Sequence, residues 1–165
     1  MKKQYKFLLI TIIGLMILMA AIILPWIYGR VQNALQEQKL KEDLSVAIDR
    51  HLKGETPYVD IAALTTFEWD RLYIFGPYTS DKALRNTLPS NWDGRYSVEV
   101  EEGYTLLVFV QNNQVVLAIE YPNRTSFAYC YRRQGYGNNE AHFIIRHTAY
   151  DREFDSGNME WVYDR

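Results

Sequence analysis

The sequence predicts an α+β protein: an N-terminal transmembrane helix and a stalk helix, then a mostly antiparallel sheet with one or two packed helices. Three observations carry that expectation. An uncharged apolar run fills Phe7 to Tyr28. A helical spacing of apolar residues follows it. Beyond residue 54 come short aromatic and β-branched segments separated by Gly, Pro and Asn.

Lys2, Lys3 and Lys6 precede the apolar run, which only Thr11, Gly14 and Pro25 interrupt. As a helix it spans a hydrocarbon core of roughly 30 Å, and a helix satisfies its own backbone groups there. Trp26 and Tyr28 fall where an interfacial aromatic belt would lie. The run is long for the apolar part of a signal peptide, and "LPWIYGR" puts bulky residues where a peptidase needs small ones. No cysteine stands near its end, which excludes a lipoprotein anchor. The expectation is an uncleaved signal anchor in the cell membrane, with the bilayer held through residues 7–28. The short basic N-terminus favours the cytoplasmic side, although Arg30, Lys39 and Lys41 make the charge bias modest. The C-terminal part is then extracytoplasmic.

All but three of the eighteen Lys and Arg, and all twenty Asp and Glu, lie after the anchor, so residues 30–165 carry a net charge of −5. That balance argues against nucleic acid and against flat adhesion to anionic lipid. Cys130 is the only cysteine, so no disulfide can form within the chain. A small buried residue is the expected role, with a bond between chains as the alternative.

Three segments result: 1–29 as cytoplasmic tip and anchor, 30–53 as stalk and packing helix, and 54–165 as an extracytoplasmic α+β domain of roughly 110 residues, a usual single-domain size. Within 30–53 the stripe Leu44, Ala47, Ile48, Leu52 is expected to pack on a sheet, and Gly54 to end the helix. "YVDIAAL" is extended or helical. "WDRLYIF" (69–75) reads as a strand, with Trp69, Arg71, Tyr73 and Phe75 on one face and Asp70, Leu72 and Ile74 on the core side. After Gly76-Pro77, Thr79 or Ser80 caps a short helix, "DKALRNTL".

"RYSVEVEE" (95–102) alternates as a strand. "YTLLVFV" and "QVVLAIEY" form a hairpin about Asn112-Asn113, apolar on both faces and therefore expected at the centre of the sheet. "SFAYCYRR" and "AHFIIRHTA" read as further strands, joined by the loop "QGYGNNE". The tail "YDREFDSGNMEWVYDR" is expected to cap the sheet.

Glu68 and Asp70 are the candidate catalytic residues, since carboxylates two apart on a strand share a face and suit acid–base work. The bland alternative has Glu68 solvated and Asp70 pairing with Arg71 or capping a turn. His51, His142 and His147 show no metal-binding spacing, and neither a metal nor a cofactor is expected. Arg132-Arg133 beside "QGYGNN" suits an anion, yet the glycines match neither a P-loop nor a dinucleotide fingerprint. Asn123-Arg124-Thr125 matches a glycosylation sequon, a weak pattern that is discounted because the short basic start and compact chain suit a bacterial protein.

Thirteen Tyr, four Trp and seven Phe exceed what so small a core readily buries, which favours recognition over catalysis. The candidate binding residues are Trp69, Tyr129, Tyr131, Arg132, Arg133 and Tyr136, with Tyr121 and Tyr150 in the same aromatic clustering. The expected partner is a protein or peptide of the envelope, bound by an immunity-type or accessory factor. The alternative is a small hydrolase or metal-dependent enzyme using Glu68, Asp70 and a histidine.

The segment "EWDRLYIFGPYTS" resembles stretches in small, uncharacterised bacterial envelope proteins with an N-terminal anchor or lipoprotein signal. In these an E-W-D with a following basic residue leads into an aromatic strand and a P-Y-T turn before a short helix. The resemblance covers mainly residues 67–80. It implies an envelope location and carries no activity or functional residue.

Overall fold

The computed structural model describes residues 2–94, 103–122, 125–126, 130–147 and 159–163. The chain divides into two compact units, Met1–Gln36 and Glu37–Arg165, and the helix α1 (Lys2–Leu52) contributes to both. In the first unit the helix is long and apolar enough to cross a membrane, and none of its apolar window is buried against protein. Arg30 lies over the Trp26 ring, 4.4 Å from its centroid. A guanidinium over the face of an indole is attracted by the ring's quadrupole.

In the second unit α1 packs through Leu40, Leu44, Ala47 and Ile48, one stripe of a helix of 3.6 residues per turn. The stripe begins one turn earlier than the spacing predicts. Leu52 stays 39% exposed, because the helix ends beneath it. The stop is a Schellman motif: Gly54, at φ +77°, donates to His51 O, and Glu55 N donates to Arg50 O.

The strands form two sheets where one is expected from the sequence. One sheet has the order β4 (Gln114–Pro122), β3 (Tyr104–Gln111), β2 (Arg71–Phe75), β6 (Tyr136–Gly137), all antiparallel. The other has the order β1 (Val59–Asp60), β7 (His142–His147), β8 (Met159–Tyr163), β5 (Thr125–Ser126); it is antiparallel except for the β5–β8 pair. The tail therefore supplies a strand through Met159–Tyr163. "YVDIAAL" divides into β1 and the short helix α2 (Ile61–Leu64), which Asp60 caps by accepting from Ala63 N.

β3 is the strand buried on both faces from Thr105 to Val110. Leu107 and Phe109 join Leu72, Ile74, the α1 stripe, and Val59, Phe143 and Ile145 of the second sheet in one core. Leu106, Val108 and Val110 join Phe75, Leu84, Leu88 and Trp92 in another. Leu84 and Leu88 come from α3 (Asp81–Thr87) and the residue after it. Ser80 is its N-cap, accepting from Ala83 N at 3.2 Å.

β4 ends the order of the described strands, unlike the central position expected for it. Phe109 faces Leu117 while Val110 faces Val115, so Val116 is an extra residue. This bulge turns Val116 and Leu117 toward the same core. Asn91 holds the strand beside the bulge: its Oδ1 accepts from Val115 N at 2.9 Å and its Nδ2 donates to Val115 O at 3.2 Å. Tyr121 shares a side-chain hydrogen bond with Ser45 of α1, and burial pushes its phenol above the ordinary value.

The strand expected at "RYSVEVEE" (95–102) lies outside the described residues, as do Ala128, Tyr129 and Tyr150. Of "SFAYCYRR" (126–133), Ser126 ends the two-residue β5, residues 127–129 lie outside the described residues, and Cys130 to Arg133 are not in a strand.

Candidate functional site

β2 begins at Arg71, and this shapes the surface around the opening of the strand. The strand alternation holds from there: Leu72 and Ile74 enter one core, Tyr73 and Phe75 the other. It does not reach back to Trp69 and Asp70, which precede the ladder. Trp69 is 5% exposed and joins the core of Leu72. Its indole donates to Thr65 Oγ1 at 2.9 Å, and its ring meets Phe109 edge-on. Asp70, expected on the core side, is exposed instead.

Both candidate carboxylates face the β3–β4 hairpin. Glu68 Oε2 accepts from Gln111 Nε2, and Asp70 Oδ2 accepts from the backbone N–H of Asn112, each at 2.9 Å. Asn112 and Asn113 have φ of 49° and 59°, the left-handed pair that a type I′ turn requires. The two acids thus fasten the tip of the hairpin, and no described histidine contact reaches them. His142 lies across the β1–β7 ladder from Asp60, with Nε2 3.5 Å from Oδ2 and its ring 4.9 Å from that of Tyr58. Among the described residues no group of three or more His, Cys, Asp or Glu is placed to hold a metal ion.

The loop from Cys130 to Glu140 carries most of the candidate binding residues. Cys130 is buried, and its carbonyl accepts from the Tyr136 hydroxyl at 2.9 Å. That bond closes the loop. A turn from Arg132 O to Gly135 N, 2.9 Å long, lies inside it. Gly135 has φ +67°, and a Cβ there would lie 2.9 Å from Leu72 O and 3.1 Å from the Tyr73 ring. Only glycine lets the turn sit this close on β2. Tyr136 then pairs with Leu72 and buries its ring edge-on against Phe143.

Arg132 is consumed within the loop. Its guanidinium lies 5.5 Å over the Tyr136 ring and 3.2 Å from Glu140 Oε1. The Gln134 amide, with its oxygen toward Arg132, accepts from it at 2.9 and 3.1 Å. Glu140 Oε2 accepts from Gly137 N at 2.8 Å and lies 4.0 Å from Arg71. The Gly137 N–H, then Arg132 and Arg71, hold the Glu140 carboxyl below its ordinary range.

The six candidate binding residues therefore separate. Trp69 and Tyr136 shape the core beneath the loop. Arg132 braces it. Tyr131 is 55% exposed with its ring 6.2 Å from that of Phe75, and Arg133 is exposed. Tyr129 lies outside the described residues. Arg71 and Glu140 join this surface without a signal in the local sequence, because β6 brings them together from segments far apart in the chain.

No protein-family profile matches the chain, and no curated protein or solved structure matches it either.

Proposed function

We propose that the protein is a single-pass membrane protein whose C-terminal unit lies outside the cytoplasm and binds a protein or peptide of the envelope. The observation that carries the reading is the apolar stretch of α1. From Ile12 to Tyr28 its large side chains are exposed, so only lipid or another apolar surface would cover them. A helix held this way tethers the folded unit near the membrane, where an anchored module raises the local concentration of its binding surface.

Exposed aromatic and arginine side chains on a braced loop suit recognition, since they supply contact area at little ordering cost. Tyr131 and Arg133 have that character. The internal bonds of Arg132, Gln134, Tyr136 and Glu140 keep the loop in place beneath them. Site-specific photo-crosslinking in intact membranes tests the reading. A crosslinker at Tyr131 is expected to give a discrete adduct, and one at Val46, exposed on α1, to give none. Equal labelling from both positions, or from neither, would oppose it.

A further inference from the structure

Asp60 and His142 occupy one rung of the β1–β7 ladder. Residues directly opposite on an antiparallel pair share a face, with Cβ atoms about 4.5–5.5 Å apart. The register thus brings a carboxylate and an imidazole together from distant positions in the chain, a pairing that spacing along the sequence does not show.

Each group is also steered from outside the pair. Asp60 Oδ1 accepts from Ala63 N at 3.2 Å as the cap of α2, and Oδ2 is the oxygen that lies 3.5 Å from His142 Nε2. The Tyr58 ring stands 4.9 Å from the imidazole at a tilt of 57°, which limits the swing of the ring. Contacts of this kind, made by groups behind the donor atoms, are what orient metal ligands in proteins.

The separation of the two atoms carries the argument. A charge-assisted hydrogen bond between them would measure about 2.7–2.9 Å. At 3.5 Å they stand beyond that range. An ion held by both at about 2.1 Å, at a tetrahedral angle, would set nitrogen and oxygen about 3.4 Å apart. Asp60 Oδ2 and His142 Nε2 already stand close to that separation. Their side chains are 32% and 33% exposed, so an ion can enter and keep water in its other positions. An imidazole with a carboxylate suits Zn²⁺, whereas Ca²⁺ and Mg²⁺ take oxygen donors. His51 offers nothing comparable, since Thr56 O and Ile145 N occupy its two ring nitrogens.

We propose that Asp60 and His142 form an open, two-donor site for Zn²⁺ on the β1–β7 ladder, with Tyr58 as a positioning residue. Two protein donors make an exchangeable site, one that takes up and releases its ion with the supply outside.

The test uses the full chain, free of any polyhistidine tag, in zwitterionic phosphatidylcholine nanodiscs titrated with Zn²⁺. Calorimetry should show saturable binding, and Zn²⁺ should raise the unfolding midpoint, as any ligand of the folded state does. His142→Gln and Asp60→Asn should each weaken binding at least about 10-fold. Asn is as good a helix cap as Asp, so Asp60→Asn should keep α2 and fold without the metal. With ¹⁵N-labelled histidine, Zn²⁺ should shift the His142 ring signals and leave those of His51 in place. An ordinary ion pair would show none of this. The proposal is overturned by no saturable binding up to about 1 mM, by undiminished binding in Asp60→Asn or in His142→Gln, by a shift at His147 in place of His142, or by an equal response to Ca²⁺.

Discussion

The Asp70 carboxylate accepts the backbone N–H of Asn112 at 2.9 Å, joining the entry of β2 to the tip of the β3–β4 hairpin. The bond is exposed, so its loss is moderated by water. Asp70→Ala is expected to lower stability by about 0.5–1.5 kcal/mol, the net worth of one hydrogen bond. Asp70→Asn keeps an oxygen in place and should cost less than Asp70→Ala. Glu68→Gln should change almost nothing, since an amide oxygen still accepts from Gln111. Chemical denaturation of the three variants checks the order, and a larger loss in Glu68→Gln than in Asp70→Ala would break it.

Leu107 is fully buried on the strand covered on both faces, and Leu117 is buried on β4 beside the bulge. Replacing either by Ala should cost about 2–5 kcal/mol, with Leu117 at the lower end because its strand ends the described order. The unfolding midpoints of the two variants measure this. Unchanged midpoints would place the core elsewhere.

His51 uses both ring nitrogens. A carbonyl can only accept, so Nδ1 donates to Thr56 O at 2.8 Å; a backbone amide can only donate, so Nε2 accepts from Ile145 N at 3.1 Å. The described β1 pairs with β7 only at Phe143 and His142, and the imidazole serves Ile145 beyond that two-residue strand. His51→Ala should cost about 1–3 kcal/mol by leaving a backbone donor unmet. It should also speed hydrogen exchange at the Ile145 amide, while exchange at Leu107 changes only with global stability. Retained protection at Ile145 would contradict this account.

Glu140 titrates below its ordinary value of 4.5 in the folded chain, mainly because the Gly137 N–H binds the charged form. A carboxyl depressed by folding contributes stability above its unfolded value, and that contribution is lost as pH falls through the folded value. Stability should therefore decline as pH drops below about 4.5, and Glu140→Gln should flatten that part of the profile. An acid limb identical in the variant would show that other carboxyls carry it.

The sequence made the regular parts legible because their patterns are local. The stop at Gly54, the cap at Ser80 and the left-handed pair Asn112-Asn113 each depend on a few neighbouring residues. The α1 stripe was legible too, apart from its shift from Leu52 to Leu40. Less was legible where distant segments meet. A two-residue strand such as β1 has no period to detect, so the pairing of Val59 with Phe143 and the second sheet stayed hidden. Alternation puts Trp69 and Asp70 on opposite faces of a strand, but the strand begins only at Arg71. The brace of Arg71, Arg132 and Glu140 joins residues far apart in the chain.

Under the proposed function, residues 7–28 cross the membrane and the folded unit lies on the far side. The most direct measurement fuses a reporter after Arg165 in the full chain. Alkaline phosphatase, which folds only outside the cytoplasm, should be active there and remain with the membrane fraction, and a cytoplasm-dependent fluorescent protein at the same point should stay dark. A fluorescent fusion with inactive phosphatase would contradict the orientation, and a phosphatase fusion released into the soluble fraction would contradict the anchor.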